Sequence, residues 1–141
     1  FVPLYLPLSS YAEVWLTNTP GTRSLEDFLP EFLHENYLGR YSDLIRILLQ
    51  QGKVFLLLDG LDEIPDVALR MKIVRQVELF TQAYPKNRFI VTSRIVGYRE
   101  AKLGAEYQAY TLADFNEKQI KAFTQRWCPA YEHWVKGTSE D

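Results

Sequence analysis

Val54-Phe55-Leu56-Leu57-Leu58-Asp59-Gly60-Leu61-Asp62-Glu63 is the stretch on which the reading of this chain turns. Five successive apolar residues put oily side chains on both faces of a strand, the signature of a central parallel strand covered by helices on each side. The run stops at Asp59 and brings three carboxylates to the carboxyl end of a sheet, where open α/β folds bind their ligands. An aspartate held there can sit beside a hydrated magnesium ion, which prefers oxygen ligands and keeps several waters while bridging phosphate oxygens. Gly60 lets the backbone turn close to a ligand. Asp62 or Glu63 can then orient or deprotonate a water for attack on a terminal phosphoryl group. Acids after a strand are more often a plain solvated loop, so the weight rests on what surrounds them.

Downstream, Asp66 after Pro65 is placed to open a long helix carrying Val67, Met71, Val74, Val77 and Phe80 on one side, and Pro85 forbids it beyond Tyr84. Phe89-Ile90-Val91-Thr92 reads as a second buried strand. Its end, Thr92-Ser93-Arg94, carries a guanidinium to the same sheet edge, where the planar fork suits phosphate oxygens and offsets the crowded carboxylates. Glu106 to Leu112 is a weaker strand candidate, and Asn116 is placed to cap a helix to about Trp127. Upstream, Val2 to Leu8 reads as a strand that Pro3 and Pro7 confine to a sheet edge. Asn18-Thr19-Pro20-Gly21-Thr22 is turn chemistry, and Ser24 with Glu26 and Asp27 marks a helix over Leu25 to Glu35. Ser42 or Asp43 starts another, with Leu44, Ile45, Leu48 and Leu49 apolar until Gly52 stops it. Strands alternating with helices imply right-handed crossovers and a three-layer parallel α/β sheet.

The composition, 141 residues with 47% hydrophobic and 24% charged, is that of an ordinary globular domain. A formal net charge of -2 gives no broad footprint for nucleic acid or anionic lipid. The longest unbroken apolar run, Val54 to Leu58, falls far short of the roughly 20 residues that cross a bilayer, so no membrane span is expected. The single cysteine, Cys128, excludes an internal disulfide framework and points to a reducing, cytoplasmic setting, with a buried or inert thiol expected. His34 and His133 lack ligand-spaced partners and are expected on exposed helical positions. Trp15, Trp127 and Trp134 are expected as core or interface aromatics. The chain opens at Phe1 inside an apolar stretch, which reads as the loss of upstream sequence, and the polar Gly137 to Asp141 reads as a frayed tail or truncation edge.

Taken in order, these segments resemble a known family. Leu56 to Glu63 resembles the extended Walker B motif of NACHT domains, in which a glycine follows the metal-associated aspartate and an acidic pair comes next. Thr92-Ser93-Arg94 with Gly97-Tyr98-Arg99-Glu100 resembles that family's sensor segment. Val2 to Leu8 resembles its strand before Walker B, Ser24 to Leu29 the following helix, and Leu112-Ala113-Asp114-Phe115 with Gln119-Ile120 its last strand-to-helix passage. The resemblance implies a three-layer parallel α/β sheet of the P-loop NTPase (ASCE) type, with residues 1–136 a partial NACHT NTPase domain and 137–141 a tail. It further implies a STAND-class ATPase, a cytoplasmic signalling switch of innate immunity or defence. Its ligand would be ATP with Mg2+, GTP being the alternative nucleotide, and its partners other subunits of the same protein. By position Asp59 would hold the metal, Asp62 or Glu63 would activate water, Asp62 slightly ahead, and Arg94 would sense the nucleotide.

The sequence departs from that family in one respect. A phosphate-binding loop needs Gly-x-x-x-x-Gly-Lys-Ser/Thr, whose backbone amides surround the phosphates, and no such segment occurs in the 141 residues. Gly52-Lys53 lacks the earlier glycine and the hydroxyl, and reads as a turn into the strand. The sheet is therefore expected to be incomplete, lacking the Walker A strand, and hydrolysis to belong to an intact parent. Two other readings stand beside this one: a NACHT-derived docking module without catalysis, and an unrelated magnesium-binding α/β protein of phosphatase or receiver type. Tyr98, Arg99 and Glu100 are expected to pack and pair beside the sensor segment.

Overall fold

The computed structural model describes residues 1–16 and 24–137, whose contacts divide between two compact units, Phe1–Gln108 and Ala109–Asp141. In the first unit β1 (Val2–Pro7), β2 (Val54–Asp59) and β3 (Arg88–Val91) form one parallel sheet in that spatial order. β2 is central, as its unbroken apolar run requires, paired with β1 from Val2↔Val54 to Pro7↔Asp59 and with β3 from Phe55↔Arg88 to Leu58↔Val91. β1 lies at the edge, where a strand tolerates prolines that cannot donate to a ladder.

The two faces of this sheet are unequal. Leu4, Leu6, Val54, Leu56 and Leu58 are buried in a single core with Tyr11, Phe28, Leu33, Ile45, Ile73 and Val77 from the helices. On the other face Tyr5 is 54% and Ile90 47% exposed, and Phe55 and Leu57 are only partly covered. The expected covering of both faces is met on one face within this unit. For the same reason β3 is not the fully buried strand expected: Phe89 and Val91 pack against the core while Arg88 and Ile90 face outward.

α1 (Leu8–Leu16), a helix that the reading of the sequence did not anticipate, follows β1 directly and buries Leu8, Tyr11 and Ala12. The turn expected at Asn18 to Thr22 lies outside the described residues. α2 (Leu25–Glu35) starts as its sequence requires: Ser24 Oγ accepts the Asp27 N–H at 3.1 Å, and the Asp27 carboxylate reaches back to the Ser24 N–H at 3.4 Å. α3 (Ser42–Gln50) buries Ile45 and Leu49, but Leu44 is 50% exposed. It ends before Gly52, whose φ of 71° is the left-handed turn that glycine adopts freely. α4 (Val67–Ala83) is capped by Asp66, which accepts the Leu69 N–H at 2.6 Å, and stops before Pro85. Its buried stripe is Leu69, Ile73, Val74, Val77 and Phe80, whereas Val67 and Met71 face out at 40% and 58% exposure. Two residues shift a side chain by about 200° around a helix, so Val67 cannot share the face of Leu69.

Asn87 ties three of these elements together at the end of the sheet opposite the acids. Its buried side chain accepts the Val54 N–H at 2.9 Å and donates to the carbonyls of Leu49 at 2.8 Å and Tyr84 at 3.1 Å. Beyond β3 comes the short α5 (Ile95–Glu100). No strand forms over Glu106 to Leu112: the Tyr107 N–H closes a turn on Gly104, and Tyr110 and Leu112 are 80% and 95% exposed.

The second unit is dominated by α6 (Glu117–Gly137). Asn116 and Gln119 cap it reciprocally at 3.0 and 2.9 Å, as the sequence led us to expect at its start. It continues past Trp127 through Pro129, because the loss of one donor does not undo the helical bonds on either side. Phe123 stacks on Trp127 at 5.7 Å between ring centroids. Trp127 and Trp134 are nonetheless 57% and 64% exposed, so neither is a core residue among the described ones, while Trp15 packs against the core of the first unit. Cys128 is exposed rather than buried. His34 and His133 sit on exposed helical positions, as expected. Gly137 closes α6, and residues 138–141 lie outside the description.

Candidate functional site

Asp59 is the last residue of β2, and both neighbouring strands hold its carboxylate. The register sets Pro7 beside Asp59 and Tyr5 beside Leu57, so Tyr5 shares a sheet face with Asp59 one pair back. The phenol spans that gap and donates to Asp59 Oδ2 at 2.9 Å. From the other side the Thr92 hydroxyl donates to Asp59 Oδ1 and accepts the Gly60 N–H at 3.0 Å, which fixes its proton toward the carboxylate. These bonds hold the Asp59 pKa below its ordinary value, the Thr92 hydroxyl contributing most, then the Tyr5 phenol, with partial burial opposing. The Tyr5 phenol is correspondingly harder to ionise, chiefly because its proton bridges to Asp59.

The chain then turns. Gly60 adopts φ 77°, and a Cβ there would lie 2.8 Å from the Glu63 carboxyl carbon, so the tight turn and the packing of Glu63 over it both call for glycine. Leu61 to Glu63 form one 3-10 turn, secured to the end of β3 by the Leu61 N–H on the Thr92 carbonyl at 3.0 Å. Leu61 and Ile64 plug into the core at 1% exposure each. Asp62 and Glu63, between these two apolar anchors, therefore project from the rim.

Arg94 arrives at the same rim. Its backbone N–H donates to Asp62 Oδ1 at 2.8 Å, and its Nε lies 3.5 Å from Asp62 Oδ2. The guanidinium is 90% exposed, so its charge remains available to a ligand. Asp59, Asp62, Glu63 and Arg94, the four site residues expected from the sequence, thus lie on one edge of the sheet. Among the described residues the Glu63 carboxylate meets no hydrogen-bond donor, in contrast to Asp62.

Four contributors escaped the reading of the sequence as site residues. Tyr5 lies 54 positions from Asp59, and only the strand register connects them. Thr92 reads in the sequence as the end of a strand, and only its hydroxyl's bond to Asp59 marks it as a support for the acid. Gly97 packs flat against the acidic turn, where a Cβ would come within 2.4 Å of the Asp62 Cβ. Arg70, charged and on a helix, is 5% exposed and turns inward beneath the rim. A polar residue at a position of apolar periodicity was the available signal for Arg70 alone.

As a metal site the rim has a particular character. Among the described residues no three His, Cys, Asp or Glu side chains converge on one point, so no cage built of protein ligands alone is present. A single ionised, doubly supported carboxylate suits an ion that keeps its waters and takes its remaining oxygens from phosphate, which is magnesium's habit. A cavity of about 350 Å³ between α2 and α3, lined by Leu29, Leu33, Ile45 and Tyr84 among others, shares no residue with the rim.

A family model described as the NACHT domain matches residues 2–131. The chain belongs to the NACHT domain family. That family consists of nucleotide-binding P-loop NTPases, and the three parallel strands with their helices are an incomplete sheet of that type. No curated protein and no solved structure matches the chain. In this NACHT domain Gly52-Lys53 is a left-handed turn into β2, with a Cβ on Gly52 only 2.4 Å from that of Lys86, and it offers no phosphate loop. No helix among the described residues is long and apolar enough to cross a membrane.

Proposed function

We propose that this NACHT domain serves a regulatory ATPase of the signalling class, in which Mg2+-bound ATP is held against the Asp59 rim and its hydrolysis controls assembly with other subunits in the cytoplasm. Bound magnesium would neutralise charge on the transferring phosphoryl group; Asp59 would hold it through water. Glu63 takes the water-activating role ahead of Asp62, because Asp62 is already engaged by the Arg94 amide and its carboxylate serves to place Arg94. Arg94 then meets the terminal phosphate with its exposed guanidinium. The phosphates themselves require a Gly-rich loop, which the 141 residues do not contain, so the activity belongs to a protein that supplies one.

The observation that carries this reading is the convergence of acid and base on one sheet edge: Asp59 buttressed from β1 and β3, with Arg94 pinned to the adjacent turn at 2.8 Å. In the full-length protein, Asp59→Ala is expected to abolish Mg2+-dependent ATP hydrolysis. Glu63→Gln should lower kcat by about 10²–10⁴-fold, the usual worth of a general base, with ATP binding retained. Wild-type turnover in both variants, measured by phosphate release, would reject the proposal. Tight Mg2+-dependent ATP binding by the full-length protein also separates it from a docking module without nucleotide.

A further inference from the structure

Arg70 lies in the first half of α4, with its side chain 6% exposed. A guanidinium cannot shed its charge, so such burial survives only with a full set of acceptors. Arg70 finds them on two segments distant in sequence. Nε and Nη2 both donate to the Ile64 carbonyl, at 3.0 and 2.6 Å. Nη1 donates to the Gly97 carbonyl at 3.2 Å and to Glu100 Oε2 at 2.8 Å. Ile64 immediately follows Asp62 and Glu63, while Gly97 and Glu100 belong to α5, the helix for which Arg94 is the N-cap residue.

We infer that Arg70 is a positioning residue for phosphoryl chemistry: a buried fork that locks the acidic turn and the arginine-bearing segment into one relative placement. This rests on the function proposed above. Arg70 reaches no nucleotide itself and acts through the groups it holds. Among the described residues the acidic turn is otherwise tied to the chain leading into α5 by its backbone bond to Thr92, which stops short of α5, and by the Asp62–Arg94 contact, a solvent-facing one that a phosphate drawing on Arg94 would compete for. The Arg70 fork is out of solvent and independent of Arg94's side chain. It keeps α5 seated on the turn while the guanidinium swings to a ligand, and Gly97 permits the close approach on which the fork depends. An apolar residue at position 70 would fill the space equally well but join nothing.

The test uses the full-length protein with Arg70→Lys, Glu100→Ala and Glu100→Gln. Lysine keeps the charge but has no fork to serve the Ile64 and Gly97 carbonyls together. Roughly tenfold or greater loss of kcat is expected, with the KM for Mg2+-ATP nearly unchanged, since small misplacements of catalytic groups cost that much. Glu100 is half exposed, so Glu100→Ala removes one arm without threatening the fold; a severalfold loss of kcat is expected, rescued by Glu100→Gln, which keeps the acceptor. In both Arg70→Lys and Glu100→Ala, hydrogen exchange should accelerate at residues 94–101 while β2 stays protected. If Arg70→Lys fails to fold, the Glu100 pair decides alone. Wild-type kcat and exchange in folded variants, or parallel loss of kcat and nucleotide affinity, would overturn the inference. A wild-type protein without ATP turnover would sink the proposed function instead, leaving hydrogen exchange to decide whether Arg70 joins the two segments.

Discussion

Tyr5 on β1 and Thr92 just past β3 both hold the carboxylate of Asp59 at the end of β2, and the pH behaviour of that carboxylate reports on both supports. Asp59 has a lower pKa in the folded chain than in the unfolded one, so its bonds contribute in full above the ordinary carboxylate range and fade as pH falls through the folded value. Tyr5→Phe removes the second-largest cause. The Asp59 titration midpoint, followed by carboxyl carbon NMR, should then move upward toward the ordinary aspartate value, and Thr92→Val should move it further. No movement in either variant would mean that the bonds do not hold the ionised form. The residue types at the rim were legible in the sequence because the apolar strand, the glycine, the acidic pair and the later Ser93-Arg94 arrive in one order. Which carboxylate stays free was not: Asp62 and Glu63 are adjacent and chemically alike, and only the Arg94 amide tells them apart.

At the level of elements, caps were the most legible features. Ser24, Asp66 and Asn116 each bind the amides that their spacing predicts, because capping is decided within four residues. The faces of helices were less so: the sequence puts Val67 and Met71 on the apolar side of α4, and tertiary packing buries Leu69 and Ile73 in their place. α5 shows what packing demands in return. A Cβ at Gly97 would sit 2.4 Å from the Asp62 Cβ and 3.0 Å from its Cα, and backbone cannot step aside cheaply. Gly97→Ala should therefore cost about 1–3 kcal/mol in chemical denaturation, the range for an overpacked contact. Faster exchange at the Arg94 amide would accompany it. Asn87→Ala is expected to cost about 1–3 kcal/mol, since it strands the buried Val54 N–H.

Across the whole molecule, the three-stranded parallel sheet positions acids and arginine on one rim without positioning a nucleotide. Catalytic groups accelerate a reaction only on a substrate held in place. The isolated 141-residue chain is accordingly expected to show no ATP hydrolysis above background, by phosphate release, at magnesium and ATP concentrations that saturate the full-length protein. Measurable turnover by the chain alone, lost in Asp59→Ala, would contradict this. The parallel sheet, the central place of β2 and the edge position of β1 were readable in advance, from the alternation of strands with helices, the two-sided apolar run and Pro3 and Pro7.

By itself the sequence determined the strand that carries the acids, the alternation of strand and helix, the caps and the family, since each depends on residues near one another or in a fixed order. Tertiary structure alone decided that Tyr5 reaches Asp59, that Asp62 is engaged by the Arg94 amide while Glu63 meets no donor among the described residues, and that Arg70 points inward to join the turn and α5. It also decided that one face of the sheet stays open in the first unit. Those contacts link positions up to 54 residues apart, and nothing local marks one long-range partner above another until register and packing bring them within hydrogen-bond distance.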